Sequence, residues 1–280
     1  MGLDQNSVGY ESEAFEFEYD WKSVVLYALG IGATSDELDY LYEGRGPRVY
    51  PTFAVVPAYE PIQALIQKVG LNTASMVHGA QTVTVSAPLP PSGRLTTRAR
   101  VAGIYDMKRM SQVVLTTRTQ NGDTVVCETE WSLLGLSDGG FGGPSPPRGT
   151  RLSIPDGAAP LWQFEQSISN EQALLYRLSG DHNPLHADPD FAAQAGFPQG
   201  PILHGLCTFG FLARAVTRCA CGGDSFRLRT LGAQFRRPTW PGDNLRVEGY
   251  RLGEDKTAIR AFSGARGEPV VGACWAQTSG

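Results

Sequence analysis

Apolar residues recur at helical spacing in two long stretches of this 280-residue chain, and β-forming residues dominate much of the remainder. The spacing predicts long helices over residues 58–69 and 206–218, each preceded by a shorter helix, over 22–29 and 171–178. After each long helix, runs rich in Val, Thr and aromatic residues predict strands. The predicted strands cover residues 81–87, 94–105, 110–118 and 124–134, then 226–236, 244–252, 257–263 and 269–277.

A segment dense in Gly and Pro, residues 137–158, divides the chain into two halves of similar size. We therefore predict an N-terminal domain over 1–136 and a C-terminal domain over 159–280. One long helix followed by antiparallel strands is typical of the α+β class, and the helix must bury its apolar face against the curved sheet. This arrangement is the hot-dog fold, so two copies in one chain predict a double hot dog.

Short sequence matches in the same order suggest that the two halves are copies of one unit. Each match alone is at chance level, but their shared order, at an offset of roughly 150 residues, favours a duplication. The matched residues are Tyr27 with Tyr176, Gly79 with Gly232, Pro91 with Pro241, and Trp131 with Trp275.

Charge and composition exclude several classes of protein. The formal net charge is −4, which argues against a nucleic-acid partner. The five cysteines lack zinc-ligand spacing, which favours a reduced, intracellular setting. No stretch approaches the roughly 18 apolar residues of a membrane helix, and neither a secretory start nor a peroxisomal C-terminal signal is recognisable. We expect a cytoplasmic protein without a membrane partner.

The segment from Tyr176 to His186 carries most of the recognisable chemistry. Gly180 is suited to end the preceding helix, and Asp188-Pro189 to begin the next one. The residues between them form a short loop that Pro184 stiffens.

This loop holds a carboxylate, an amide and an imidazole, which suit proton transfer around one water molecule. Asp181 is the candidate base, Asn183 can orient the water, and His186 can hold it or pass on its proton. Gly205, at the start of the second long helix, offers an unobstructed backbone N–H to a developing oxyanion. Each residue also has a purely structural interpretation: Asp181 as a turn former, His186 as an ordinary polar residue, and Gly205 as a close-packing glycine.

These residues resemble the R-specific enoyl-CoA hydratase 2 family, which is related to the MaoC-like dehydratases. The family signature, Tyr-x-Leu-Ser-Gly-Asp-x-Asn-Pro-Leu-His, is similar to residues 176–186, and the likeness extends over nearly the whole chain. The resemblance implies that Asp181, Asn183 and His186 are catalytic and that Gly205 supplies the oxyanion N–H.

The resemblance also implies roles for residues outside that loop. His78, Gly79 and Phe235 would line the path of coenzyme A, while Lys108 would contact it, although the register is shifted by one residue there. Tyr27 and Glu43 match first-half positions that support activity in similar enzymes. Because the first half lacks the catalytic trio, we expect it to be non-catalytic and to shape the acyl and coenzyme A pocket.

The predicted activity is reversible hydration of a trans-2-enoyl-CoA to the (3R)-3-hydroxyacyl-CoA in fatty acid metabolism, either in β-oxidation or in the reverse dehydration. The enzyme would be a hydro-lyase with no metal site and no separate cofactor, because coenzyme A is part of its acyl thioester substrate. Three alternatives stay open: a dehydratase for acyl-carrier-protein substrates, a hot-dog acyl-CoA thioesterase, and a non-catalytic acyl-CoA binder. The oligomeric state is also open between a monomer and a homodimer.

Overall fold

The computed structural model describes residues 2–149, 152–155, 157–264, 267 and 269–279. Within these residues, ten antiparallel strands form one continuous sheet. The strands are β1 (Phe15–Tyr19), β2 (Met76–Val85), β3 (Gly93–Asp106), β4 (Ser111–Asn121), β5 (Thr124–Gly135), β6 (Trp162–Ser167), β7 (Leu228–Phe235), β8 (Asn244–Arg251), β9 (Lys256–Ser263) and β10 (Val271–Thr278).

The order of the strands is symmetric about the centre of the sheet. It runs β1-β3-β4-β5-β2-β7-β10-β9-β8-β6, so the first five strands form one half and the last five the other. At the seam, Ala80 of β2 lies opposite Gln234 of β7, and Gln81 lies opposite Ala233. Ala80 and Ala233 are 153 residues apart, and so are Gln81 and Gln234, so the two pairs are equivalent by the duplication. The Gly-Ala-Gln motifs that matched in the sequence therefore lie in equivalent places on both sides of the seam.

The helices are distributed in the same duplicated way. Each half contributes two shorter helices and then a long one, and the long helices α3 and α6 lie against the sheet. No helix in the described part of the chain is long and apolar enough to cross a membrane. The helices are α1 (Trp21–Gly30), α2 (Leu38–Leu41), α3 (Val55–Val69), α4 (Gln172–Tyr176), α5 (Pro189–Gln194) and α6 (Gly205–Ala220).

The two long helices form the core because their apolar faces are enclosed by the curved sheet. In α3, residues at a spacing of three and four, including Ala58, Ile62, Leu65 and Ile66, are almost completely buried. In α6, every residue from Leu206 to Thr217 is buried. Each Leu, Ile or Phe buried in this way contributes about 1.5–3 kcal/mol. The predicted α+β double hot dog is confirmed.

Several predicted boundaries differ from the structure. Both edge strands, β1 and β6, were missed, although each alternates aromatic residues with Glu or Gln. The strand predicted over 81–87 begins at Met76, because a β-bulge at Gly79 lets the strand continue through a glycine. The helix predicted over 171–178 is split into α4 and a 3-10 turn.

The predicted linker, residues 137–158, contains no helix or strand among its described residues, and residues 150, 151 and 156 lie outside them. Its first part is attached to the turn between β3 and β4. The Asp106 carboxylate accepts hydrogen bonds from the backbone N–H groups of Gly140 (3.0 Å) and Gly142 (2.7 Å). These bonds lower the pKa of Asp106.

A buried ion pair joins the loop after α1 to the second half. Arg214 of α6, which is 1% exposed, pairs with Glu37 and also donates to the carbonyl oxygen of Ile31 at 3.3 Å. Tyr50 donates its hydroxyl to Glu37 at 2.7 Å. Burial alone would raise the pKa of Glu37, but the hydrogen bonds and charge of Arg214 outweigh it and the pKa is lowered. The two halves are therefore linked by a paired charge as well as by the sheet.

Candidate active site

The loop from Asp181 to His186 lies between the end of one helical segment and the start of the next. Gly180 ends the 3-10 turn after α4 with a φ of 126°, a region that favours glycine. Asp188 caps α5 by accepting hydrogen bonds from the backbone N–H groups of Asp190 and Phe191, and Pro189 is the first helical residue. The carboxylate of Asp181 and the ring of His186 are thus carried on a short, anchored segment.

Asp181, His186 and His204 converge on one point. One carboxylate or imidazole ligand atom from each lies within 4.8 Å of the others. The rings of His186 and His204 stack with centroids 3.7 Å apart. The same spacing would suit one shared water molecule or a metal ion, and the predicted absence of a metal stays a prediction. His204 was not among the predicted site residues, although the clustering of histidines in this segment was a signal for it.

The hydrogen bonds of the two rings fix their tautomers. His186 Nδ1 lies 2.8 Å from the carbonyl oxygen of Ile202, so this nitrogen carries the proton and Nε2 is the acceptor. His204 Nε2 lies 3.1 Å from the backbone carbonyl oxygen of Asp181 and donates to it. The Nδ1 atom of His204 is buried and has no hydrogen-bond partner among the described residues.

Both imidazoles are held in the neutral form. Burial lowers the pKa of His186, and the charge of Asp181 offsets this only in part. Burial, together with the neighbouring His186, lowers the pKa of His204 to about 3. At neutral pH, His186 therefore presents an unprotonated Nε2 that can accept a proton or a hydrogen bond.

A tyrosine from the first half contacts the Asp181 carboxylate. Tyr59 of α3 donates its hydroxyl to Asp181 Oδ1 at 3.1 Å, and the backbone N–H of Asn183 donates to the same oxygen at 3.2 Å. Burial, followed by the charge of Asp181, raises the pKa of Tyr59, so its hydroxyl stays protonated and donates. Sequence reasoning missed Tyr59; a hydroxyl-bearing side chain beside the apolar face of a predicted core helix was the available signal.

The side chain of Asn183 has a structural contact in the loop. It is exposed, and its Oδ1 accepts a hydrogen bond from the backbone N–H of Leu185 at 3.0 Å, which caps the 3-10 turn containing His186. Asn183 therefore stabilises the conformation that places His186, in addition to any role toward water.

Gly205 lies at the start of α6, directly after His204. Its backbone N–H belongs to the first turn, where α-helices leave donors without an intrahelical partner and where the helix dipole is positive. A Cβ added at this position would lie 3.6 Å from the ring of Phe235, an ordinary van der Waals distance. Gly205 thus lies beside Phe235 and directly follows His204, which bonds to the backbone of Asp181.

The predicted coenzyme A residues His78 and Phe235 are in direct contact across the seam. The His78 ring stacks on Trp131 at 5.0 Å and meets the Phe235 ring edge-on at 5.1 Å. Burial lowers the pKa of His78 to about 4, and its Nε2 donates to the carbonyl oxygen of Ala80 at 3.0 Å. Gly79 lies at the β-bulge between His78 and Ala80, and a Cβ there would approach the Leu134 side chain to 2.9 Å.

The remaining predicted residues lie outside this cluster. Lys108 is exposed in the β3–β4 turn with a φ of 72°, and its backbone N–H bonds to Asp106 at 2.7 Å. Glu43 is exposed in the 3-10 turn Glu43–Arg45. Tyr27 is buried, and its ring lies 6.0 Å from that of Tyr176. Tyr176 in turn contacts the His204 ring at 4.9 Å. Tyr27 is thus connected to His204 through the Tyr176 ring, and the predicted roles of Tyr27, Lys108 and Glu43 stay predictions.

Two family models together cover most of the chain. One described as the MFE-2 hydratase 2 N-terminal domain matches residues 17–136, and one described as a MaoC like domain matches residues 155–270. The loop from Asp181 to His186 and the glycine Gly205 fall in the second model. The chain belongs to the MaoC-like hydratase 2 family. The prediction drawn from residues 176–186 is confirmed.

Relatives of the family match both halves. The 3-hydroxyacyl-thioester dehydratase Y of Mycobacterium tuberculosis is 37% identical over 93% of this chain and 91% of its own length. The peroxisomal enoyl-CoA hydratase 2 of Arabidopsis thaliana is 35% identical over 83% and 82% of the two chains. The crystal structure of a MaoC-like dehydratase from Phytophthora capsici superposes with a TM-score of 0.89, at 28% identity, over 100% of this chain and 98% of that one.

Proposed function

We propose that this protein catalyses the reversible, R-specific hydration of trans-2-enoyl-CoA in fatty acid metabolism and is thus a hydro-lyase. One observation carries the proposal: the Asp181 carboxylate and the neutral His186 ring converge on one point beside the N-terminus of α6. A base, a neutral imidazole and a backbone donor are the groups that addition of water to a conjugated thioester requires. Enoyl-CoA hydratase 2 of Arabidopsis supports the same substrate class by its name.

The proposed reaction begins with a water molecule held between Asp181 and His186 Nε2. Asp181 takes a proton as the water oxygen bonds to C3 of the enoyl chain, and the electrons of the double bond move toward the thioester carbonyl. The backbone N–H of Gly205 stabilises the resulting enolate oxygen. The proton that Asp181 accepted is then returned to C2 on the same face, in a step that His186 shares, so H and OH from one water molecule are added across one double bond and Asp181 is again a carboxylate. Dehydration follows the same steps in reverse.

The two halves have different roles in this proposal. The C-terminal domain, residues 159–280, carries the catalytic loop. The N-terminal domain, residues 1–136, carries no second trio and shapes the acyl and coenzyme A pocket. His78, Gly79 and Phe235 line the coenzyme A path, with Lys108 on the exposed turn as a further contact. The thioester itself acidifies C2, so the chemistry requires no metal ion or separate cofactor.

The name of one relative allows a second candidate activity, dehydration of an acyl-carrier-protein thioester. The relative in Mycobacterium tuberculosis is named a 3-hydroxyacyl-thioester dehydratase, a name that does not specify the thiol carrier. The same residues would act on an acyl-carrier-protein thioester, and only the surface around the pocket mouth would distinguish the carriers.

The test is a hydration assay on the purified protein. Crotonyl-CoA and a longer trans-2-enoyl-CoA are followed by loss of the conjugated thioester absorbance, with coupling to an R-specific 3-hydroxyacyl-CoA dehydrogenase. We expect absorbance loss and an R product, and a D181N variant with a kcat lower by at least about 10²-fold. D188N is the matched control, because Asn is as good an N-cap as Asp and the exposed Asp188 carboxylate accepts hydrogen bonds from the first turn of α5.

Other outcomes would select the alternatives. Free thiol released from saturated acyl-CoA would indicate a thioesterase, and activity confined to acyl-carrier-protein substrates would indicate the biosynthetic dehydratase. Normal turnover by a folded D181N variant would refute the proposed mechanism, and binding without turnover on any thioester would leave only an acyl-CoA binder.

A further inference from the structure

The contact between Tyr59 and Asp181 crosses from one half of the molecule to the other. Tyr59 lies on α3 of the first half, 122 residues before Asp181, and its ring is half-buried. Its hydroxyl is 3.1 Å from Asp181 Oδ1, which makes it the one side-chain donor to this carboxylate among the described residues. The half that lacks the catalytic trio therefore still reaches the catalytic carboxylate.

Both hydrogen-bond donors to the Asp181 carboxylate bind the same oxygen. The Tyr59 hydroxyl and the backbone N–H of Asn183 both bond to Oδ1, at 3.1 and 3.2 Å. Within the described residues, Oδ2 has no protein donor. An oxygen that already accepts two hydrogen bonds is less available to a water proton than one that accepts none. The geometry thus makes the two oxygens of one carboxylate chemically different.

We propose that Tyr59 is a positioning residue for the hydration reaction: by binding Oδ1 it fixes the rotation of the carboxylate and leaves Oδ2 as the atom that exchanges a proton with the water. The inference rests on the proposed function of the site. The step involves no new group, since the proton moves between water and Oδ2 while the Tyr59 O–H bond stays intact.

The pseudo-symmetric helix supports this assignment. In the other half, the α6 side chain that meets the equivalent loop after α1 is Phe211, since a Cβ added at Gly32 would come within 2.5 Å of its ring. Phe211 is almost completely buried and carries no hydroxyl. The helix that faces the loop with a carboxylate has a donor there, and the helix that faces the loop without one has a hydrocarbon ring.

The experiment compares Y59F with the wild type and with Y19F. Phe keeps the ring and removes only the hydroxyl, so the fold of α3 should be retained. Tyr19 is a buried first-half tyrosine whose hydroxyl donates to the carbonyl oxygen of Pro90 at 2.6 Å, away from Asp181, and it controls for loss of a hydrogen bond as such. The readouts are kcat and KM for crotonyl-CoA and for a longer trans-2-enoyl-CoA, with Tm to verify folding.

We expect Y59F to lower kcat roughly tenfold with little change in KM, by the same factor for both substrates, because the hydroxyl orients the base and does not touch the acyl chain. Y19F should keep the kcat of the wild type. An unchanged kcat in Y59F, or a change in KM that depends on chain length, would overturn the inference while leaving hydration established by the wild type. A wild type that hydrates no enoyl thioester would overturn the proposed function and this inference together.

Discussion

The loops that follow α1 and α4 occupy equivalent places in the two halves, yet one is filled by packing and the other is left open for chemistry. Counted from the matched tyrosines, Tyr27 and Tyr176, Gly32 stands where Asp181 stands. Asp181 is partly exposed, and its carboxylate accepts a hydrogen bond from the hydroxyl of Tyr59 on the long helix of the other half. Gly32 has a φ of 81°, and an added Cβ would come within 2.5 Å of the Phe211 ring of the opposite long helix.

The first loop also uses its charges differently. Glu37 and Arg214 neutralise each other in a buried pair, whereas the charge of Asp181 is paired with no cation in the described structure. The equivalent loops of the two halves therefore differ in their contacts: the first is closed by packing and a buried ion pair, whereas the second brings a carboxylate close to two imidazoles. The lesson is that the crossed packing, in which each loop lies against the long helix of the other half, makes the halves dependent on each other.

The largest expected effect comes from removing the buried ion pair in the loop that follows α1. E37A leaves the Arg214 guanidinium buried without its partner and should lower the free energy of unfolding by about 3–5 kcal/mol. The measurement is urea unfolding at neutral pH. D36A removes an exposed carboxylate that bonds Arg218 at 2.8 Å and should cost at most about 1 kcal/mol. Equal losses in the two variants would show that the buried pair has no special role.

The next largest effect is expected from removing the backbone N–H of Gly205, the proposed oxyanion donor. G205P removes the N–H at the first position of α6, where proline fits a helix and where the preceding His204 already has an extended ψ of 137°. We expect kcat to fall by about 10²–10³-fold. G205A keeps the N–H, and its Cβ would meet Phe235 at an ordinary distance, so its kcat should stay within about tenfold of the wild type. Similar activity in the two variants would refute the oxyanion role of Gly205.

A smaller effect is expected from placing the missing carboxylate in the first loop. G32D must adopt a positive φ and displace the Phe211 ring, which should cost roughly 2 kcal/mol of stability or more. Because the stacked pair His186 and His204 lies beside Asp181 in the other loop, we expect no additional turnover per chain, and D181N combined with G32D should stay inactive. Recovery of hydration in the double variant would show that the first half retains a latent site.

Much of the fold could be predicted from local patterns. Helical spacing located α3 and α6, and Gly180 and Asp188 correctly marked the ends of the loop that holds Asp181 and His186. The edge strands β1 and β6 were missed, and the bulge at Gly79 hid the start of β2. A glycine in a strand interior weakens a strand signal even where the sheet, through its neighbours, continues across it.

The sequence by itself determined the family, and it predicted that Asp181, Asn183 and His186 lie in one short loop because they are close along the chain. Only the tertiary structure decided which groups meet them. His204 follows Asp181 by 23 residues and Tyr59 precedes it by 122, and both meet the loop because the core helices carry them there. The physical reason is that a hydrogen bond requires donor and acceptor to lie about 3 Å apart. Spacing along the chain predicts such closeness only for residues that are near neighbours in the sequence.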